Sequence, residues 1–318
     1  MRHDLLIVLA SFVATVALGM VAVPFLRAHG VGQHVREDGP ARHLAKSGIP
    51  TMGGIFFIVP WLLVALSAGR SPTVAAVAFV TAGAGLVGFL DDFRKWRYGR
   101  SLGLRARTKL LLQVLVAVPA LMVLAGQTGT MIWVPFGSHS LDLGVWFILF
   151  GVLVIVGATN AVNLTDGIDG LAAGTTAIAL LAYAALAWSL AHTDLQDFAL
   201  AGAGAMAGFL VFNFHPARVF MGDVGSLALG GALAGLAIAT RTELLLVVVG
   251  GVFVVETLSV VLQVFSFRVF GRRLFRMSPL HHHFELAGWG EVPIVLMFYA
   301  GAVVLAWAGL WLWQLTGF

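Results

Sequence analysis

Ten apolar runs follow one another along the chain: Leu5–Leu26, Gly53–Gly69, Thr73–Leu90, Leu110–Ala125, Leu143–Ala158, Leu171–Ala191, Phe198–Phe212, Val224–Thr240, Leu244–Leu262 and Val292–Leu315. About 20 apolar residues in a helix cross a hydrocarbon core, and about 17 suffice. Each run therefore predicts a spanning helix, the shorter ones borrowing flanking polar residues. Ser71-Pro72 opens the third run, where a first-turn proline lacks only an N–H that has no helical partner anyway. The run near the N-terminus is too long for a typical signal core and lacks a small-residue cleavage site, so it is expected to be a retained span. The longest external link, Gly126–Asp142, contains Met131–Phe136, which suits a short strand or β-hairpin. The expected fold class is all-α: one polytopic membrane domain over residues 1–318, with about ten transmembrane helices.

Composition reinforces this reading. Hydrophobic residues make up 59% of the 318 and charged residues 11%, against about 25% charged in a soluble domain, too few to cover a water-facing surface. A net charge of +4 in a soluble protein would suggest nucleic acid. Here the basic residues sit in links between spans, so no nucleic-acid partner is expected. If the spans alternate, all 19 Lys and Arg except Arg2, Arg70 and Arg241 fall on one side. The positive-inside rule places that side, with links 27–52, 91–109, 159–170, 213–223 and 263–291, in the cytoplasm and both termini outside. With 0 cysteines, disulfides, thiolate zinc sites and thiol catalysis are excluded.

Five polar stretches share the cytoplasmic side. Asp91-Asp92 ends the third run, beside Arg94 and Lys95. The pair is either a solvated helix end or a site for a hard cation such as Mg²⁺ or for a base that takes a proton from phosphate. Carboxylates at a helix C-terminus oppose its dipole, which favours function. Residues 100° apart on a helix should let only one of the two aim at a given ligand. In Asn160–Gly170, Asp166 and Asp169 repeat at i, i+3, as do Asn160 and Asn163. A helical turn there would place each pair on one face; the plainer reading is a Gly-rich helix break with a capping Asp.

Phe212–Ser226 joins two runs through Asn213, Pro216, Phe220 and Asp223, and Asp223 opens a helix end that attracts phosphate or caps itself. His281-His282-His283-Phe284-Glu285 is better suited to hydrogen-bonding phosphate or sugar than to Mg²⁺, which prefers oxygen; zinc is the weaker alternative. Upstream, Arg268, Arg272 and Arg276 repeat at i, i+4, i+8, as an interfacial helix contacting anionic membrane lipids would. Lys46–Gly54 offers Lys46 and Thr51 beside a Gly-Gly helix entry, and it is not a P-loop. Lys109 opens the fourth run, while Glu256 lies inside the ninth with Gln263 on the same face. Glu256 is either helix–helix glue or part of a wet cleft. Together the carboxylates, lysines, amides and imidazoles on one membrane face point to a phosphate-handling enzyme with one substrate from water and one from lipid.

These motifs, Gly48–Gly54, Asp91-Asp92, Asn160–Gly170, Phe220-Met221-Gly222-Asp223 and Pro279–Glu285, resemble those of the phospho-N-acetylmuramoyl-pentapeptide transferases. That family lies within the polyprenyl-phosphate N-acetylhexosamine-1-phosphate transferase superfamily, and the resemblance covers essentially the whole chain. It implies transfer of phospho-MurNAc-pentapeptide from UDP-MurNAc-pentapeptide to undecaprenyl phosphate, giving lipid I and UMP, with Mg²⁺ as cofactor. It also implies a homodimer in the bacterial inner membrane. By this likeness Asp223 is the metal ligand, Asp91 with Asp92 beside it deprotonates the lipid phosphate, and Lys109 contacts the diphosphate. Gly167, Ile168, Asp169 and Phe220 would line a uridine pocket. Lys46, Thr51, Asn160, Asn163, Asp166, Asn213, Gln263, His281, His282 and His283 would complete the cleft. A sister enzyme transferring GlcNAc-1-phosphate is disfavoured by the His-His-His-Phe-Glu run. A secondary transporter would instead carry ionisable groups near the bilayer midplane, where Glu256 is the one exception here.

Overall fold

The computed structural model describes residues 2–32, 48–99, 102–135 and 140–316. Its helices are α1 (Arg2–Ala28), α2 (Gly54–Ala68), α3 (Pro72–Tyr98), α4 (Ala106–Thr128), α5 (Phe147–Thr165), α6 (Leu171–Ser189), α7 (Thr193–Asn213), α8 (Gly222–Ala239), α9 (Glu243–Val249), α10 (Gly251–Phe270), α11 (Leu280–Leu286) and α12 (Glu291–Thr316). Among the described residues, 9 helices are long and apolar enough to span, and Gly54–Ala68 is a shorter apolar one. Every predicted run is helical, the ninth divided between two helices. The protein is an all-α polytopic membrane protein.

Helix α8 is the centre of the bundle. It is buried from Val224 to Ala239 and packs against α2, α3, α5, α6 and α9. Lipid tails are as apolar as leucine, so small residues that let backbones approach hold membrane helices together. α8 supplies them in Gly225, Ala228, Gly230, Gly231, Ala232, Ala234 and Gly235. The reciprocal small residue on α3 is Gly88, where a Cβ would lie 2.1 Å from the carbonyl oxygen of Asp223. This contact sits one turn before Asp91 and brings the end of α3 against the start of α8. Outer helices instead show exposed apolar side chains, such as Leu6, Val13 and Val21 on α1 and Val261 and Phe265 on α10, as lipid-facing surfaces should.

The link between α4 and α5 carries a two-stranded antiparallel sheet, β1 (Met131–Trp133) with β2 (Ser140–Asp142), in the register Ile132↔Leu141. It is pinned by the Trp133 N–H donating to the Arg241 carbonyl at 3.1 Å and by Trp133 against Trp313. The same end carries the pairs His3–Asp197 and Gln196–Asp4.

Two expectations change. The ninth run, Leu244–Leu262, is not one helix: it breaks at Gly250 between α9 and α10. Nor does one helix carry Arg268, Arg272 and Arg276. α10 stops at Gly271, whose left-handed φ of 66° suits a glycine C-cap. Residues beyond it are irregular until α11, so the arginine repeat is not a helical stripe.

Gly88→Val should separate α3 from α8, costing about 1–3 kcal/mol by overpacking and most of the activity. Thermal unfolding in detergent and turnover measure both; an unchanged pair of values contradicts this packing.

Candidate active site

Asp91 and Asp92, which lie within α3 about two turns before its end at Tyr98 rather than at a helix C-terminus, and Asp223, in the first turn of α8, bring carboxylate oxygens within 4.8 Å of one another. Asp91 and Asp92 are 3% and 4% exposed. Both adjacent aspartates reach the centre, although their helical angle suggested only one would. Asp92 leans toward α8, its Oδ2 accepting the Val224 N–H at 3.1 Å, and so caps that helix from outside. Asp91 leans the other way, its Oδ1 accepting the Leu104 N–H at 2.8 Å. The Asp223 side chain is thereby released from capping its own helix. Gly222 makes the junction possible: its φ is +69°, and a Cβ would lie 2.3 Å from Asp92 Oδ2 and 2.9 Å from Thr51 Oγ1. Thr51 therefore stands beside the carboxylates.

Two ammonium groups hold this centre. Lys95 Nζ lies 2.7 Å from Asp91, 3.3 Å from Asp92 and 3.2 Å from Asp223. Lys109 Nζ donates to Asp223 Oδ2 at 2.7 Å. Lys95 is the residue that sequence reasoning passed over as a solvated counter-charge; the available signal was its i+3 and i+4 spacing from the two aspartates. Three carboxylates against two ammonium groups leave a net negative charge in a poorly solvated site. An all-oxygen donor set of this kind fits a hard divalent cation.

The Asn–Asp stretch forms one wall. Asn163 Nδ2 donates to Asp223 Oδ1 at 3.0 Å and to Ser226 Oγ at 2.8 Å, joining the wall to the centre. Asn160 donates to Gln113 Oε1 at 3.1 Å; Gln113, one turn after Lys109 on α4, also escaped notice in the sequence. α5 ends at Thr165, so Asp166 and Asp169 do not share a helical face. Asp166, beyond the end of the span, stands in the field of the centre. Its carboxyl is pushed up to about 8 by burial and then by repulsion from Asp223, Asp92 and Asp169.

Asp169 turns elsewhere: its Oδ2 accepts the Ala217 N–H at 3.0 Å and meets His215 Nδ1 at 3.0 Å. Glu291 lies 3.5 Å from the same imidazole nitrogen. Asp169, His215 and Glu291 form a second trio able to hold a cation, with an imidazole donor that suits Mg²⁺ less well than the all-carboxylate centre does. His215 lay within a polar stretch already noted, whereas Glu291 carried no sequence signal beyond an acid at a helix start.

The remaining expected residues divide. Asn213 clamps two loops, its Oδ1 accepting the Gly170 N–H at 3.1 Å and its Nδ2 donating to the Val219 carbonyl at 2.9 Å. Phe220 ties the Gly48–Gly54 run to the site through its N–H to the Pro50 carbonyl at 2.8 Å and its carbonyl to the Gly53 N–H at 2.9 Å. Ile168 packs its side chain into an apolar cluster with Leu171, Val252 and Ile294. Gln263 is engaged by backbone, accepting the Leu274 and Phe275 N–H groups and donating to the Phe275 carbonyl. His283 Nδ1 accepts the Arg276 N–H at 3.1 Å, and His282 Nδ1 pairs with Glu285 at 2.6 Å. His281 lies against Gly167. Lys46 falls outside the described residues.

Comparison with known proteins names the family. Residues 74–241 match the model described as glycosyl transferase family 4, and residues 46–58 match signature 1 of phospho-N-acetylmuramoyl-pentapeptide-transferase. The chain is 54% identical to the phospho-N-acetylmuramoyl-pentapeptide-transferase of Moorella thermoacetica over 310 residues, 96% of this chain and 97% of that protein. The chain belongs to the phospho-N-acetylmuramoyl-pentapeptide-transferase family. Relatives of the same description from Anoxybacillus flavithermus, at 49% identity over 95% of both chains, and Bacillus subtilis, at 48% over 96% of both, agree. The family match spans α3 to α8 and so contains all three carboxylates of the centre.

Lys95→Met should leave the buried carboxylates under-compensated and lower the melting temperature in EDTA, by the equivalent of about 3 kcal/mol. Added Mg²⁺ should recover more of the loss than it adds to the parent protein; equal melting of the two in EDTA would contradict this. Asp166 sets a pH dependence. Its folded value lies above the ordinary 3.8, so its contribution to stability is complete below about 4 and is lost as pH rises through about 8. Asp166→Asn should flatten the fall in melting temperature across that window, and an unchanged slope would rule the shift out.

Proposed function

We infer that the Asp91–Asp92–Asp223 centre is where this transferase passes phospho-MurNAc-pentapeptide from UDP-MurNAc-pentapeptide to undecaprenyl phosphate, forming lipid I and UMP. The single observation that carries this reading is the convergence of three carboxylates and two lysines, from α3, α4 and α8, at one end of the bundle. The donor set fits Mg²⁺, with Asp223 as the principal ligand and Asp91 and Asp92 beside it. Bound there, Mg²⁺ would neutralise diphosphate charge and polarise the transferring phosphoryl group.

The chain's own groups account for the rest. Lys109 and Lys95 are within reach of anions at the centre and orient the diphosphate. Asp91 takes the proton from the lipid phosphate, whose oxygen then attacks the β-phosphorus. The bond from that phosphorus to the bridging oxygen breaks and UMP departs with the electron pair. The alternative is a covalent phospho-sugar on an aspartate, and trapping labelled sugar phosphate on the protein without lipid acceptor would establish it. Residues Gly167–Asp169, with Phe220, form the uridine side, held by Asn213. Thr51, Asn160, Asn163 and Asp166 surround the diphosphate and sugar, and the His281–His283 turn backs the Gly167 side.

The membrane orientation follows from charge. Arg94, Lys95, Arg105, Lys109, Arg218, Arg268 and Arg272 lie at helix ends or in links on the site's side, whereas Arg2, Arg70 and Arg241 lie at the opposite end. This supports an inner-membrane protein with the site facing the cytoplasm and both termini outside. A homodimer is the proposed assembly, on the resemblance alone.

Asp223→Asn should abolish turnover while the protein stays folded; near-normal activity would refute its metal role. Asp169→Ala should raise KM for the UDP substrate with little change in kcat. UMP release that depends on both Mg²⁺ and polyprenyl phosphate separates this reaction from transport and, by sugar specificity, from the sister transferase.

A further inference from the structure

Glu256 lies in the second turn of α10 and is 0% exposed. A buried carboxylate is costly unless hydrogen-bonded or paired. Its Oε2 accepts the Leu280 N–H at 2.7 Å and its Oε1 the His281 N–H at 3.2 Å, the free donors at the start of α11. Pro279 precedes them and makes no side-chain cap. Among the described residues, the one ionisable group paired with Glu256 is His281, whose Nδ1 stands 3.4 Å from Oε1.

His281 is also 0% exposed, and neither ring nitrogen meets a partner at hydrogen-bond geometry. Its other nitrogen points at the Asn–Asp wall: a Cβ on Gly167 would lie 2.1 Å from Nε2. An imidazole with Nδ1 facing a carboxylate carries its hydrogen on Nδ1 and presents Nε2 outward, the arrangement by which a carboxylate fixes a histidine tautomer. The ring of His282 packs on it at 4.1 Å between centroids, so the imidazole is confined on three sides.

We propose that Glu256 is a positioning residue for the nucleotide substrate, seating α11 and turning His281 so that Nε2 is held against Gly167. Glu256 touches no substrate; it acts through His281 on the wall that takes the uridine. The proposal rests on that assignment of Gly167–Asp169. It also resolves the two readings of this carboxylate: Glu256 binds no second spanning helix and lines no wet cleft, but carries a short helix of the site from its position within a span.

The test compares Glu256→Gln, Asp169→Ala and the parent enzyme, with UDP-MurNAc-pentapeptide and undecaprenyl phosphate varied separately. Glutamine keeps one carbonyl oxygen for one of the two α11 N–H groups, turns its N–H₂ toward the other, and removes the negative charge that faces His281 Nδ1. Removing the negative charge that faces His281 Nδ1 at 3.4 Å is expected to cost about tenfold. The expected result is a rise of about that size in KM for the UDP substrate, with kcat and the KM for lipid within about threefold. A purely structural role would lower the melting temperature and the active fraction and leave that KM in place. In a His281→Phe background, Glu256→Gln should add nothing further.

An unchanged KM in Glu256→Gln, with the KM of Asp169→Ala raised, overturns the proposal and leaves the uridine wall standing. Unchanged KM in both removes the uridine wall itself. Additive effects with His281→Phe also overturn the proposal. Should Glu256→Gln fail to fold, Gly167→Ala displaces the same ring from the other side with Glu256 intact, and must give the same KM-only signature, absent from the His281→Phe background.

Discussion

Three carboxylates held together at the edge of a hydrocarbon phase constrain everything else in this protein. Bringing Asp91, Asp92 and Asp223 within reach of one another is unfavourable unless each oxygen has a donor or a cation. The chain answers with Lys95 across all three, Lys109 on Asp223, and backbone N–H groups at Leu104 and Val224. The helices can only supply these partners if α3 and α8 touch backbone to backbone, which Gly88 permits. The small-residue surface of α8 and the acidic centre are therefore one design: packing without side chains at one level allows a dense polar cluster at the next.

From the centre outward, the site becomes progressively less charged. Asn163 and Ser226 link Asp223 to the wall built from the end of α5. Asn213 and the backbone of Phe220 then fix the loops around that wall. Farther still, α11 is seated from inside α10. Lipid-exposed flanks such as those of α1 and α10 complete the molecule.

Much of this was legible in the sequence, because a span announces itself by length and apolarity. All ten runs became helical, the ninth as two helices, and the strand at Met131–Trp133 formed where expected. The break at Gly250 was hidden, since α9 and α10 are both apolar and only tertiary packing separates them. The conspicuous acids Asp91, Asp92 and Asp223 did converge, although no sequence rule states that the body of one helix meets the start of another far along the chain. Asp166 and Asp169 were misleading in their i, i+3 spacing, because the helix had already ended. Lys95 was underrated, since a lysine beside two aspartates near an interface usually contacts water. Gln263 looked like a cleft residue from its polarity, but that polarity satisfies a bend in the backbone. Local patterns thus identified elements and chemical types, while partner choice depended on the packing of distant segments.

The most direct measurement is Mn²⁺ binding, as a paramagnetic substitute for Mg²⁺, followed by electron paramagnetic resonance on the detergent-solubilised protein. The Asp91–Asp92–Asp223 centre and the Asp169–His215–Glu291 trio are the two competing sites among the described residues. Asp223→Asn should abolish the bound-Mn²⁺ signal and Glu291→Gln should leave it intact. Loss of the signal in Glu291→Gln with retention in Asp223→Asn would contradict the account.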